Sequence, residues 1–178
     1  MNELVLPAGT RWLGLSRRQI NALGALACGS MIGFALFAQH VMGLEPCPLC
    51  ILQRVGALGL GLVFLLAAVH NAGPVGARIW GILILLTAGL AGSVSARHVW
   101  LQSLPADQVP ACGPGLDYML DVFGLTEALA MVFSGSGECA EVVWRLFGLS
   151  MPAWVLICFA TLGLAGLFVN WRLARSAT

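Results

Sequence analysis

The sequence is poor in charge and contains no lysine. Only 10% of its 178 residues are charged and 59% are hydrophobic, with a mean hydropathy of +0.90. Soluble domains carry about 25% charged residues, so this shortage excludes an ordinary soluble fold and indicates a single membrane domain over residues 1–178. The net charge of +1 lacks the basic excess typical of nucleic-acid binding, so we expect no nucleic-acid partner.

Four apolar runs are long enough to cross a bilayer, which requires about 20 residues each. They cover about residues 20–38, 49–69, 79–96 and 153–169. Only helices or closed barrels satisfy the backbone in lipid, and these runs lack the strict alternation of barrel strands. The sequence therefore predicts an all-α membrane protein, a four-helix transmembrane bundle. The first run exceeds the apolar core of a signal peptide, so we expect it to be retained.

The arginines predict the orientation of the bundle, since positive residues favour the cytoplasmic side. Seven of the eight acidic residues fall in the two segments 39–48 and 97–152, which we interpret as periplasmic loops. Six arginines flank the apolar runs on the opposite side, which we expect to be cytoplasmic and to hold both termini. These are Arg11, Arg17, Arg18, Arg78, Arg172 and Arg175.

The longer outer loop contains a segment of helical periodicity at residues 115–133. Asp117, Asp121 and Glu127 share one side of this segment, and Tyr118 and Val122 are among the apolar residues on the other. This pattern predicts a short amphipathic helix lying in the membrane interface. A loop that packs on the bundle is the alternative interpretation.

The six cysteines fall into two groups. Two lie inside predicted spans, Cys28 and Cys158, and we interpret them as small buried hydrophobic residues. The others all lie in the predicted outer loops, where an oxidising periplasm would favour two disulfides. Three pairings of the four are possible at this point. They are Cys47, Cys50, Cys112 and Cys139.

The stretch "EPCPLCILQR", residues 45–54, places a C-x-x-C at the start of the second span. Pro48 suits the first position of a helix, so Cys47 should lie just outside the helix and Cys50 in its first turn. The free N–H groups and dipole of that turn, together with Arg54 four residues on, favour a thiolate at Cys50. Snorkelling of Arg54 to the membrane interface is the alternative explanation for this charge.

A C-x-x-C also occurs in metal sites. A structural zinc site built from four cysteines usually contains two closely spaced pairs. Cys112 and Cys139 are 27 positions apart, so the spacing predicts no metal site.

Taken together, these motifs resemble the DsbB family, bacterial inner-membrane proteins that reoxidise the periplasmic thiol oxidant DsbA. The resemblance covers nearly the whole chain. It rests on "PCPLCILQR" opening the second span, "RHVWLQSLP" leaving the third, a lone outer Cys112, and "SGSGECAEVVWRLFGLSMPAW" before the fourth.

The resemblance implies a quinone-dependent thiol-disulfide oxidoreductase whose electrons pass from DsbA through two cysteine pairs to the membrane quinone pool. By this resemblance, Cys112 and Cys139 form the pair that meets DsbA, a thioredoxin-fold oxidant, and Cys112 forms the mixed disulfide. Cys47 and Cys50 form the quinone-facing pair. DsbA is itself a strong oxidant, at about −120 mV, so only a stronger acceptor such as a quinone can recharge it.

The resemblance also assigns the quinone site. Cys50 engages the quinone, which is ubiquinone or menaquinone, and Arg54 helps to hold it. His98, at the outer end of the third span, is expected near the quinone or is simply an interfacial histidine.

Several alternatives stay open. A DsbB-like oxidase could serve a dedicated partner instead of a general DsbA. From a different class, the chain could be a membrane protein that binds metal through Cys47 and Cys50, or a structural subunit with two disulfides. A protein of the vitamin K epoxide reductase type would place its C-x-x-C near the last span, which this order disfavours.

Overall fold

The computed structural model describes residues 11–12, 14–105, 107–110 and 116–175. Within these ranges four long helices dominate: α1 (Arg17–His40), α2 (Pro48–His70), α3 (Pro74–Gln102) and α6 (Met151–Arg175). Between α3 and α6 lie α4 (Leu116–Ser134) and the short α5 (Gly137–Ala140). Two antiparallel hairpins precede α1 and α6, β1 (Arg11–Trp12) with β2 (Leu15–Ser16) and β3 (Arg145–Leu146) with β4 (Leu149–Ser150).

Each of the four long helices is long and apolar enough to cross a membrane. Large apolar side chains point outward from them, with Leu26 on α1 66% exposed and Leu90 on α3 73% exposed. Such a surface requires an apolar surrounding, and the helical backbone satisfies its own hydrogen bonds there. The predicted four-helix membrane bundle is confirmed.

Small residues allow the helices to approach closely. A Cβ atom on Gly56 of α2 would lie 2.6 Å from the Cβ of Ala91 on α3, and one on Gly163 of α6 would lie 2.7 Å from the Cβ of Ala88. Any larger side chain at these glycines would push the backbones apart. The core of the bundle also contains the buried side chains of Leu60, Phe64, Ile84 and Phe159.

Helix α3 continues to Gln102, beyond the apolar run that ends at residue 96. The polar residues of this extension have partners. The Arg97 guanidinium donates hydrogen bonds to the carbonyls of Phe133 (3.0 Å) and Ser134 (2.9 Å), and His98 is 2% exposed. The helix therefore leaves the apolar run and carries His98 into the outer part of the protein.

Arginine contacts mark the opposite end of the bundle. Arg17 donates to the side chain of Asn71 at 3.3 Å and to the carbonyl of Ala72, in the turn between α2 and α3. The Arg78 guanidinium lies 5.8 Å from the ring centre of Trp171, near the end of α6. Arg17 and Arg78 thus lie at the end of the bundle away from the C-x-x-C, which opens α2.

Helix α4 covers nearly all of the segment predicted at 115–133. Gly124 interrupts it with a left-handed backbone (φ 74°, ψ 171°), so the segment consists of two helical pieces. Tyr118 and Val122 are 56% and 54% exposed. Two apolar side chains so exposed are compatible with a membrane surface, and the interfacial location stays a prediction.

Candidate redox site

The C-x-x-C is built into the first turn of α2. Cys47 is the N-cap residue, with an extended backbone, and Pro48 follows in the first turn of the helix. The Cys47 sulfur accepts a hydrogen bond from the backbone N–H of Cys50 at 3.4 Å. The two sulfur atoms lie 2.9 Å apart, so a disulfide of about 2.05 Å requires only a small closing movement. The predicted positions of both cysteines relative to the helix are confirmed.

Cys139 lies next to this pair. It belongs to α5 and is 1% exposed, and Cys47 packs against the buried cluster that contains it. The Ser136 hydroxyl lies 3.6 Å from its sulfur. Its other neighbours in the buried cluster are apolar, Leu49, Val94, Leu101 and Val132. Three of the four predicted redox cysteines therefore meet, and Cys112 lies outside the described residues.

Two features hold α5 against α3. The bonds from Arg97 to the carbonyls of Phe133 and Ser134 fix the end of α4. In the next turn, Gly135 has φ 89°, and a Cβ there would lie 2.5 Å from a methyl carbon of Leu101. Only glycine combines this backbone conformation with so close an approach to Leu101. The turn places Cys139 beside Cys47.

The surroundings of Cys139 and Cys47 shift the pKa values of the two thiols in opposite directions. The hydrogen bond from Cys47 lowers the pKa of Cys139 to about 6, with help from the backbone of Leu49 and from Ser136, against the opposing effect of burial. The pKa of Cys47 is raised, because its bonds with Cys139 and Cys50 and its burial favour the neutral thiol. Cys139 is therefore the sulfur that carries negative charge, and Cys47 retains its proton.

His98 contacts the pair from α3. Its Nε2 lies 3.8 Å from the Cys47 sulfur, and its Nδ1 lies 3.0 Å from the Nε2 of Gln53. When the Gln53 amide donates to Nδ1, the imidazole proton is on Nε2 and faces Cys47. Gln53 is 6% exposed. Sequence reasoning missed it, although an uncharged polar residue three positions after Cys50 in an apolar run was a usable signal.

A cavity opens on the Cys50 side of the pair, between α1, α2 and α6. It encloses about 650 Å³, its open mouth included, and its polar lining includes Cys50, Gln53 and Arg54. Most of the remaining wall is apolar: Met31, Ile32, Ala35, Leu44, Met151 and Val155. An apolar cavity with a few converging polar groups is typical of a small-molecule site.

Arg54 is anchored at the wall of this cavity. Its guanidinium donates one hydrogen bond to the side-chain oxygen of Gln39 and another, at 3.1 Å, to the carbonyl of Ala35, both on α1. These bonds turn the side chain across to α1 and leave further N–H donors of the fork for a ligand. This placement favours the ligand-binding interpretation of Arg54 over snorkelling.

A lateral groove between α1 and α6 adjoins the cavity. Met31, Met151 and Val155 line both spaces. The groove is mainly apolar, and the rings of Phe34 and Trp144 at its side lie 5.8 Å apart. An elongated apolar molecule bound in the cavity would have a continuous path into this groove.

An acidic cleft that adjoins the cavity also reaches the pair. It encloses about 390 Å³ and is lined by Cys47, Cys50 and His98, with the carboxylates of Glu45, Glu138 and Glu141. His98 thus lines the Cys47 side, whereas Arg54 lines the Cys50 side. Two adjoining spaces therefore reach the cysteine pair, a mainly apolar cavity with Arg54 and a more polar cleft with His98, and Cys50 and Glu45 line both.

Comparison with known proteins is consistent with this geometry. Over residues 17–169 the sequence matches the family described as "DsbB: Disulfide bond formation protein DsbB". A relative named Disulfide bond formation protein B, from Chromobacterium violaceum, is 54% identical over 83% of this chain and 89% of its own length. Proteins of the same name from Marinobacter nauticus and Nitrosococcus oceani are each 51% identical, over 89% and 91% of this chain and 94% of each relative.

Proposed function

The chain belongs to the DsbB family of disulfide bond formation proteins, and from this premise we propose a path for electrons through its outer cysteines. The protein is a membrane thiol-disulfide oxidoreductase, the membrane partner of DsbA, and its electron acceptor is a quinone by family membership. The path begins at a DsbA-like thioredoxin-fold partner and crosses the Cys112–Cys139 pair. It then crosses the Cys47–Cys50 pair and ends on ubiquinone or menaquinone.

The contact between Cys139 and Cys47 is the observation that carries this path. The partner's dithiol first reduces the Cys112–Cys139 disulfide through a mixed disulfide on Cys112, and the partner leaves oxidised. The Cys139 thiolate then attacks the Cys47 sulfur of the second disulfide and releases Cys50 as a thiolate. Attack of Cys112 on Cys139 restores the first disulfide and leaves Cys47 reduced. Two electrons have then moved from the partner to the C-x-x-C.

The C-x-x-C passes these electrons to the cavity. When bound, a quinone accepts two electrons and two protons from the reduced pair. Cys50 and Arg54 line the cavity, where Cys50 would be the sulfur that reacts with the quinone and Arg54 would stabilise negative charge on a quinone oxygen. The lateral groove between α1 and α6 accommodates the isoprenoid tail. Re-formation of the Cys47–Cys50 disulfide completes the cycle.

Two cysteine variants test this division of labour. In purified protein, Cys112→Ser should abolish turnover with reduced DsbA. Once chemically reduced, the same variant should still be oxidised by a soluble quinone at the wild-type rate. Cys50→Ser should reduce no quinone above background. Quinone absorbance gives the measurement, and Cys28→Ala, which changes a cysteine of the bundle core, is the matched control. Normal turnover of DsbA by Cys112→Ser would contradict the path.

We also propose the inner membrane as the location, with both termini cytoplasmic and the redox cysteines periplasmic. The support is the position of Arg17 and Arg78 at the end of the bundle away from the C-x-x-C. A membrane-impermeant maleimide added to reduced spheroplasts should label Cys112, whereas Ala72→Cys, in the α2–α3 turn, should react only in inside-out vesicles. The reverse pattern would invert the orientation.

A further inference from the structure

Three soft donor atoms converge where the sequence spacing predicted no metal site, and a further cysteine, Cys139, packs beside them. The side-chain donors of Cys47, Cys50 and His98 all lie within 4.8 Å of one another, and Cys139 contacts Cys47 from α5. The Cys47 sulfur is 2.9 Å from the Cys50 sulfur and 3.8 Å from His98 Nε2. Bonds of about 2.3 Å to sulfur and about 2.0 Å to nitrogen around tetrahedral zinc separate two sulfurs by roughly 3.8 Å and a sulfur from a nitrogen by roughly 3.5 Å. The distance from Cys47 to His98 is close to this value, and the two cysteine sulfurs would have to move apart by roughly 0.9 Å to share the ion.

We propose that the fully reduced protein binds one Zn²⁺ or Cd²⁺ ion through Cys47, Cys50, His98 and Cys139, and that the bound ion blocks the electron path. Spacing within the sequence disfavoured a site made of two close cysteine pairs. The structure instead supplies the third and fourth ligands from α3 and α5, which no spacing rule along the chain connects. Three cysteines and one histidine are an established zinc donor set.

Gln53 completes the site behind His98. A histidine that binds metal through Nε2 carries its proton on Nδ1 and donates it to a neighbouring oxygen. The Gln53 amide nitrogen lies 3.0 Å from Nδ1. A half-turn of this amide exchanges its nitrogen for its oxygen with almost no change of shape, so Gln53 can accept the Nδ1 proton without repacking of α2 against α3.

The acidic cleft gives a cation a route to these ligands. Glu45, Glu138 and Glu141 line the cleft that reaches Cys47, Cys50 and His98. A cluster of negatively charged carboxylates attracts cations and raises their local concentration. Gln102 lines the same cleft, and its amide oxygen is buried without a hydrogen-bond partner among the residues that the structure describes.

The charges of the site balance. Three thiolates and a dication sum to one negative charge, and the Arg54 guanidinium acts on Cys50 from the other side of the pair. Binding displaces the thiol protons and involves no change of oxidation state, so a chelator should reverse it. A sulfur in a disulfide is not a thiolate ligand, so metal binding and oxidation of the C-x-x-C exclude each other.

Cadmium titration of the full-length protein in detergent tests the site without DsbA or quinone. The fully reduced protein should develop the thiolate-to-cadmium absorption band with a stoichiometry of one, and Zn²⁺ should displace Cd²⁺. Protein with both disulfides formed should show no band. This comparison uses the wild-type chain alone, so it does not depend on the folding of any variant. Equal binding by the oxidised and reduced forms would overturn the proposal.

Ligand variants identify the donors. Cys47→Ser and His98→Leu should each weaken Cd²⁺ binding by about a hundredfold or more, and Cys139→Ser by about tenfold, since loss even of outer-shell partners costs about 10- to 100-fold. The controls Cys28→Ala and His70→Gln lie away from the site and should keep the wild-type affinity. Unchanged affinity in Cys47→Ser or His98→Leu would overturn the site. Metal binding without quinone reduction would instead contradict the proposed function alone.

Discussion

The two sulfur atoms of the C-x-x-C have different surroundings. Cys50 lines a mainly apolar cavity between α1, α2 and α6, with Arg54 as its cation. On the side of Cys47, His98 and the thiol of Cys139 approach the pair, and three glutamates line the adjoining cleft. The pair therefore faces a mainly apolar cavity and a more polar cleft, and Cys50 and Glu45 line both.

This contrast shows how one dithiol can connect two kinds of chemistry. Long membrane-spanning helices build the Cys50 side, and their apolar side chains form most of the cavity wall. The Cys47 side depends on α5, a four-residue helix that docks on α3. In the proposed path, electrons arrive through a segment held by a few contacts and leave through the helices of the bundle. Substitutions on the Cys50 side should therefore affect the reaction with quinone, and substitutions on the Cys47 side should affect electron transfer from DsbA.

Loss of Arg54 should produce the larger effect, and only on the Cys50 side. A charge-assisted hydrogen bond contributes about 1.5–3 kcal/mol, so Arg54→Met should raise the KM for a soluble quinone roughly 10- to 150-fold. Arg54→Lys should rescue this partly, because it keeps the charge but loses the planar fork. Gln39→Leu, which removes one anchor of Arg54, should raise the KM by about two- to tenfold.

The matched control for this series is Arg145→Met, because Arg145 is an exposed arginine on β3. Quinone absorbance gives the KM, and the rate of disulfide exchange with reduced DsbA should stay at the wild-type value in Arg54→Met. An unchanged KM and turnover in Arg54→Met, at equal protein amounts, would remove Arg54 from the quinone site.

Loss of Arg97 should produce a smaller effect on the Cys47 side. Its two bonds to the carbonyls at the end of α4 are at the protein surface. Arg97→Gln should therefore reduce the free energy with which α5 docks on α3 by about 1–1.4 kcal/mol. Cys139 is buried in the wild type. Its reaction with a maleimide in the reduced protein should then accelerate about five- to tenfold.

The same variant should slow electron transfer from DsbA to the C-x-x-C and leave oxidation of the pre-reduced C-x-x-C by quinone unchanged. Mass spectrometry of the labelled protein measures the modification of Cys139, and Arg145→Gln is again the control. A wild-type rate of labelling in Arg97→Gln would show that other contacts dock α5.

Much of the site followed from local sequence. Pro48 predicted the start of α2, and this start placed Cys47 outside the helix and Cys50 in its first turn, as the structure confirms. Arg54 followed at helical spacing. The surroundings of these residues were harder to predict from the sequence, because the end of the apolar run at residue 96 gave no sign that α3 continues to Gln102. A hydropathy profile shows that Arg97 and His98 are polar, but it does not show the contacts that allow the helix to continue through them.

The sequence by itself determined the number of spans, the position of the C-x-x-C at a helix start and the uneven distribution of arginine. These properties depend on periodicity, chain length and neighbours within one turn of a helix. Only the tertiary structure decided that Cys139 contacts Cys47, that Gln53 meets His98, and that Arg54 reaches α1. Each of these contacts joins residues from different elements, and the packing of glycines and apolar side chains between the helices fixes which elements become neighbours.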